Sequence, residues 1–281
     1  MPAGSSAGSS VASSTGTAAA ATPTAVAPTP TPVVSPPTAS ASPSGSPQTE
    51  WTLDLFDSSG VRHQNPDGTA CTAAAVQTAL NMIALGGGVT LWQPTTSYQT
   101  QEDILHFERA NMTLPTGIAG SDPHGTRNAL NYYGWGSLEA NVYTDAAYAT
   151  FDTAAHMVVT SIARTHKPAV VFTWMGGHAQ VVTGYKAHGA DPTKSDDFTV
   201  LGVYVTDPLE GTGTLVYNGA THTVEPTKDD TWVSLADWKY GPDPIQYSRY
   251  WQSDSTLRDP IDGRVGRAEW YNRWVVVLAT R

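Results

Sequence analysis

The sequence of 281 residues has a single cysteine, Cys71, few charged residues and no long apolar segment. One cysteine excludes an internal disulfide and every metal site that needs several cysteines. No uninterrupted apolar run approaches the roughly 18 residues of a membrane-spanning helix, so we expect no integral membrane span. The formal net charge of -10 and the lack of a basic cluster argue against nucleic acid and anionic membrane surfaces as partners.

Charged and aromatic residues are absent from the first 48 residues, where Ala, Ser, Thr and Pro predominate. Such a chain buries too little apolar surface to offset its conformational entropy, so we predict a disordered tail or linker over residues 1–48. It resembles the linkers of secreted or surface-displayed bacterial proteins, which implies an extracellular or cell-surface location. Residues 1–25 lack the basic and apolar regions of a secretory signal. A spacer for surface attachment and a dispensable tail both remain open as interpretations.

Residues 49–281 are long enough for one domain with a substantial core. The first half has helical patterns, and the second half has short β-branched or aromatic runs separated by Gly, Pro and Asp. This distribution predicts an α+β domain with a mostly antiparallel sheet. The predicted helices lie within Cys71 to Gly86, Ser97–Arg109, Asp122–Tyr133 and Asp145–Thr165. The predicted strands are Trp51–Phe56, Ala169–Trp174, Ala179–Tyr185, Val200–Thr206, Leu215–Tyr217 and Trp274–Ala279.

Cys71 stands at the N-terminus of the first predicted helix, directly after a loop that contains the turn sequence Asn-Pro-Asp-Gly. Free backbone N–H groups and the positive end of the helix dipole favour a thiolate at this position. A buried thiol without a chemical role is the alternative, and it is the commoner fate of a lone cysteine. The residues that accompany Cys71 therefore decide between the two interpretations.

A histidine and a carboxylate occupy the ends of two predicted strands. His178 follows Gly176-Gly177 and opens one strand, and Asp207 closes the next strand before Pro208. If these strands are antiparallel neighbours, the start of one lies beside the end of the other. Imidazole and carboxylate would then meet at one rim of the sheet, as a thiolate nucleophile requires.

The order of these residues resembles the papain-like cysteine peptidases. The carrying motifs are a cysteine on an N-terminal helix, then Gly-Gly-His-Ala-Gln-Val-Val-Thr-Gly-Tyr, then Val-Thr-Asp-Pro. The nearest branch is the one similar to bacteriocin leader (double-glycine) processing peptidases, and the resemblance covers roughly residues 60–210. It implies a papain-like cysteine peptidase fold, with N-terminal helices that include the nucleophile helix packed on the sheet. It also implies a thiol peptidase with a Cys71/His178/Asp207 triad, a peptide or protein substrate and no cofactor or metal.

The family further implies a glutamine about six residues before the cysteine, whose amide joins the cysteine N–H in an oxyanion hole. Gln64 is seven residues before Cys71 and Asn65 is six before it. We favour Gln64 by side-chain type, with Asn65 as the alternative. A second departure is the triplet Ala70-Cys71-Thr72, where the family usually has Asp-Cys-Gly.

Three further interpretations follow from the second half. The segment Trp232–Trp238 resembles the family's late helix behind the sheet, and the acidic loop Asp191–Asp197 is expected to be a solvated hairpin tip. Aromatic residues such as those of the C-terminal third more often complete a hydrophobic core than line a binding groove.

The alternatives to a peptidase are a peptidoglycan amidase or transglutaminase-like acyl transferase with the same Cys/His pair, and a non-catalytic binding module that uses the aromatic surface.

Overall fold

The computed structural model describes residues 49–64, 70–113, 120–209, 214–217, 220–223, 228–242, 246–250 and 269–281. All of them belong to one compact unit, Gly45–Arg281. The predicted tail, residues 1–48, and Asn65 lie outside the described residues.

Helices and strands both contribute, as the sequence predicts. The helices are α1 (Cys71–Leu85), α2 (Tyr98–Ala110), α3 (Pro123–Trp135), α4 (Phe151–Thr165) and α5 (Leu235–Tyr240). The strands are β1 (Glu50–Asp54), β2 (Tyr143–Tyr148), β3 (Ala169–Thr173), β4 (His178–Gly189), β5 (Phe198–Thr206), β6 (Thr214–Tyr217), β7 (Ala220–Thr223), β8 (Thr231–Ser234) and β9 (Trp274–Ala279). Two short 3-10 turns lie at Leu138–Ala140 and Trp174–Gly176.

Seven strands form one sheet in the order β2-β9-β3-β4-β5-β8, and β1 pairs with β4 beside this path. Every pairing in the sheet is antiparallel, which confirms the predicted α+β class with an antiparallel sheet. The β4–β5 connection contains the acidic loop, which is a hairpin tip as expected. Strands β6 and β7 form a separate hairpin.

Two cores cover the two faces of the sheet. Helices α1, α2 and α3 pack on one face, where Val76 and Leu80 of α1 meet Val181 of β4 in the same cluster. Helices α4 and α5 pack on the other face. All residues of α1 from Cys71 to Ile83 are buried, because this helix lies between the sheet and the other two helices. The alanines of α1 allow this close approach, and the helix ends before Gly86 as predicted.

One predicted helix begins later than the sequence indicates. Residues Asp145 to Tyr148 were expected in the helix that ends at Thr165, but they belong to β2, which pairs with β9 along its whole length. The helix starts at Phe151, where the Thr150 side chain accepts a hydrogen bond from Thr153 N. The alanine-rich sequence favours a helix locally, and pairing with a distant strand overrides that preference.

The segment Trp232–Trp238 also differs from the expected helix. Its first residues form β8, which pairs with β5, and α5 begins only after Ser234 caps it. Trp238 is fully buried behind the sheet, next to Phe151 and Tyr247. The core interpretation of the aromatic third therefore holds for part of it. In contrast, Tyr240 is 75% exposed.

None of the described helices combines the length and the apolar content needed to cross a bilayer.

Candidate functional site

The rim where β4 begins and β5 ends brings the predicted histidine and aspartate together. Strands β4 and β5 are antiparallel, and Val181 pairs with Thr206, the last residue of β5. His178 Nε2 lies 2.7 Å from Asp207 Oδ1, and both side chains are completely buried. The predicted meeting of imidazole and carboxylate at one rim is thus present.

At least three donors bind the Asp207 carboxyl group. Oδ1 accepts hydrogen bonds from His178 and from Leu209 N at 2.8 Å, and Oδ2 accepts one from Gln180 Nε2 at 2.6 Å. Burial alone would raise the pKa of this carboxyl, but the His178 charge and these hydrogen bonds lower it below its ordinary value. Asp207 is therefore a fixed anion that orients the imidazole.

Gln180 was not predicted as a site residue. It follows His178 by two positions on β4, so both side chains point to the same face of the strand. The spacing of two residues between His178 and Gln180 on one predicted strand is the sequence signal that indicates Gln180 as a second side-chain donor to Asp207.

The surroundings of His178 favour the protonated form of its ring, the imidazolium. Burial lowers the pKa of the ring, but the charge and hydrogen bond of Asp207, with a smaller contribution from Cys71, raise it to about 10. The two nitrogens have different surroundings, since Nε2 binds Asp207. Nδ1 has no hydrogen-bond partner among the described residues, and Cys71 is near enough to the ring to contribute to its raised pKa. Nδ1 is therefore the nitrogen available to exchange a proton with the thiol.

Cys71 is the first residue of α1, as predicted, and only 9% of it is exposed. No side chain caps the N-terminus of this helix. The N–H groups of its first turn have no carbonyl partner within the helix, and the helix dipole points its positive end at the cysteine.

Gln64 is held against the loop that follows Asp207. Its backbone N donates to Pro208 O at 2.8 Å, and its side chain is buried, with 2% of the residue exposed. Neither the Nε2 nor the Oε1 atom of this amide has a hydrogen-bond partner among the described residues. A buried amide without partners is costly, which points to a polar group that arrives from outside.

A strained turn places an aromatic ring beside His178. Trp174 and Met175 both have positive φ, 48° and 57°, although neither is glycine. The ring centroid of Trp174 lies 5.2 Å from that of His178, and Trp174 is 8% exposed. Non-glycine residues in this region cost about 1–3 kcal/mol each and cluster at functional sites. The sequence predicts a tight connection here but gives no sign of this strain.

Several carboxyl groups lie near His63, the residue before Gln64. His63 Nε2 is 3.4 Å from Asp229 Oδ1. Burial and the neighbouring Asp54 and Asp229 raise the pKa of Asp230 to about 6. Even so, no three His, Cys, Asp or Glu side chains within the described part of the chain are arranged to hold a metal ion.

A cavity of about 530 Å³ lies at the far edge of the sheet, around Asp145, Arg127 and Trp270. Arg127 Nη1 is 2.9 Å from Asp145 Oδ1, so the buried charge on this side is neutralised within the protein. None of the four predicted site residues lines this cavity.

The chain matches no protein-family model, and neither a curated protein nor a solved structure is significantly similar to it. Its function therefore has to be inferred from the side chains described above.

Proposed function

We propose that this protein is a cysteine hydrolase that cleaves peptide bonds with the triad Cys71, His178 and Asp207 on a papain-like fold. One observation carries the proposal. The His178 ring is bound by Asp207 at Nε2, its Nδ1 has no hydrogen-bond partner among the described residues, and Cys71 is near enough to contribute to the raised pKa of the ring. A histidine between a fixed carboxylate and a thiol is the arrangement that activates a nucleophilic cysteine.

In this mechanism the resting site holds a Cys71 thiolate and a His178 imidazolium. The thiolate attacks the carbonyl carbon of the scissile peptide bond, and the oxygen becomes an oxyanion. His178 then gives its proton to the departing amine as the C–N bond breaks, which leaves an acyl group on sulfur. Neutral His178 takes a proton from water, and the resulting hydroxide releases the acyl group.

The oxyanion needs hydrogen-bond donors that point at it before the reaction begins. The backbone N–H of Cys71 and the Nε2 of Gln64 are the proposed donors. The support for Gln64 is its burial and its amide without partners among the described residues, since a substrate oxygen would supply the missing acceptor. Asn65 remains the alternative by sequence spacing and lies outside the described residues.

The choice of a peptide bond rests on the resemblance of the Gly-His and Asp-Pro motifs to the peptidase family. The resemblance of the N-terminal tail to bacterial surface linkers leads us to propose an extracellular or cell-surface protein that this tail attaches to a surface. An amidase or acyl transferase would use the same thiolate and imidazolium, so substrate assays have to separate these activities.

Alkylation of Cys71 tests the proposal directly, because it is the only thiol in the chain. The rate with iodoacetamide should already be high near pH 6, below the ordinary thiol pKa of about 8.5, and should fall to that of an ordinary thiol in His178→Ala. A thiol that reacts only after denaturation would rule out all the enzyme hypotheses. Cleavage of a peptide panel, with Cys71→Ala as the blank, then identifies the bond.

A further inference from the structure

Glu108 is a carboxyl group that the proposed mechanism does not use. It lies on α2 and is completely buried. Its Oε2 accepts a 2.6 Å hydrogen bond from Thr72 Oγ1. Thr72 directly follows Cys71 and belongs to the first turn of α1. The carboxyl group is thus bonded to the turn that carries the proposed nucleophile.

The groups that face Glu108 among the described residues include acids but no cation. Cys71 and Thr72 face it from α1, and Asp122, Thr126 and Tyr133 face it from α3 and its N-cap. Backbone N–H groups bind both carboxyl oxygens of Asp122: Oδ1 accepts from Gly125 N and Oδ2 from Thr113 N, both at 2.8 Å.

Burial above all, and the charges of Cys71 and Asp122, raise the pKa of Glu108 well above its ordinary value, while the hydrogen bond from Thr72 and the nearby Thr126 hydroxyl group lower it less. A buried carboxyl without a cation keeps its proton.

The surrounding hydroxyl groups fit a neutral acid. Thr72 donates to Oε2, so the acid proton belongs on Oε1, which accepts no hydrogen bond among the described residues. Thr126 Oγ1 donates its proton to Asp122 O at 3.0 Å, so this hydroxyl group does not direct a proton at Glu108. Thr72 is thus the one hydroxyl donor to Glu108 among the described residues.

We infer that Glu108 is a positioning residue that acts as a neutral acid. It fixes the first turn of α1 through Thr72 and keeps a second negative charge away from the Cys71 thiolate. This role rests on the proposed function for its catalytic meaning. The peptidases that the chain resembles usually have glycine at the position of Thr72. They therefore lack the hydroxyl group that binds Glu108 here.

Infrared spectroscopy tests the protonation state independently of any activity. The carbonyl stretch of a buried, protonated carboxyl group should be present at pH 7 in the wild type and absent in Glu108→Gln. If the spectrum of the wild type at pH 7 contains only carboxylate bands and no band of a protonated carboxyl group, the inference is overturned.

Thermal unfolding gives a second measure of the same state. Glutamine accepts at one atom and donates at the other, as the neutral acid does. A raised pKa in the folded state means that stability is present below the unfolded value, 4.5, and is lost as the pH rises above it. Glu108→Gln should therefore melt higher than the wild type at pH 7, and the gap should close towards about pH 4.5. A lower melting temperature of Glu108→Gln at pH 7 would indicate an anion.

The positioning role is tested by alkylation of Cys71 in matched variants. Glu108→Gln and Thr72→Ser keep the hydrogen bond and should stay within about twofold of the wild-type rate at pH 6, whereas Thr72→Val should react about tenfold more slowly, with its pH profile moved upwards. A wild-type rate in Thr72→Val would refute the positioning role. If the wild-type thiol does not react at all, the proposed function fails, while the infrared band and the melting curves still report on Glu108.

Discussion

Replacement of Asp207 by asparagine is the sharpest perturbation that this site offers. The new side chain keeps a carbonyl oxygen for His178 Nε2 and Leu209 N, but its amide nitrogen would face the donor Gln180 Nε2. The Gln180 amide then has to rotate, and the negative charge opposite the imidazolium is gone. Because burial lowers the pKa of His178 and Asp207 is the main group that raises it, we expect the ring to be neutral at pH 7.

The magnitude follows from the burial of the pair. Both side chains are 0% exposed at a separation of 2.7 Å, so the figures for surface ion pairs do not apply. Removal of one partner from a buried charge pair costs about 3–5 kcal/mol. At about 1.4 kcal/mol for each factor of ten, a loss of this size corresponds to about a hundredfold or more, and we expect the alkylation rate of Cys71 at pH 6 to fall by about that factor.

The free energy of unfolding should also depend on the His178–Asp207 pair, and this dependence should vary with pH. The raised pKa of His178 contributes stability that is complete below pH 6.5 and is lost as the pH rises through about 10. The lowered pKa of Asp207 contributes stability that is present above 3.8 and is lost in acid. The excess stability of the wild type over Asp207→Asn should therefore be largest between about pH 4 and pH 6.5 and shrink at alkaline pH.

Asp196→Asn is the matched control. Arg164 Nη2 lies 2.8 Å from Asp196 Oδ1, at nearly the same separation, but the Asp196 side chain is 71% exposed. Surface pairs contribute about 0–1 kcal/mol, so this variant should keep both the alkylation profile and the unfolding curve. If Asp207→Asn behaves like Asp196→Asn in iodoacetamide kinetics and denaturant unfolding, the buried pair does not control the thiol and the reasoning is refuted.

Three further substitutions test separate parts of the structure. Gln64→Ala should lower kcat/KM for a cleaved peptide by about a hundredfold while the alkylation rate of Cys71 stays unchanged, because iodoacetamide forms no oxyanion; an equal loss in both would indicate misfolding. Trp174→Phe should retain the alkylation rate within about twofold, whereas Trp174→Ala should lower it about tenfold at pH 6 because water weakens the ion pair. Gly184→Ala should destabilise the fold by about 1–3 kcal/mol in urea unfolding, since its Cβ would lie too close to Leu53 O; an unchanged midpoint would show that β1 moves freely.

The sequence predicts the rim geometry because it depends on local rules. Glycines delimit α1 and the β3–β4 connection, and a short connection between two strands makes them antiparallel neighbours. The positions of His178 and Asp207 at strand ends then follow from the apolar runs alone. The helical pattern likewise places Glu108 beside Ile104 and Leu105 on the buried side of α2.

Contacts between distant segments are what the sequence does not reveal. The local sequence predicts a helix for the residues of β2, because the partner strand that makes them a strand, β9, lies far along the chain. The bond from Gln64 N to Pro208 O and the bond from Thr72 to Glu108 join segments whose registers depend on the whole fold. The positive φ of Trp174 reflects surroundings that override local preference, and such strain has no sequence signature.

The backbone bond from Gln64 to Pro208 bears on the sequence spacing between the proposed oxyanion donor, Gln64, and the proposed nucleophile, Cys71. Gln64 takes its position from the loop after β5, and Cys71 takes its position from α1, so each is located without reference to the other. The number of residues between them is then free to vary, because a slightly longer loop costs little. A spacing of seven residues instead of about six is therefore compatible with the same positions of Gln64 and Cys71, and one-residue insertions between them should be tolerated.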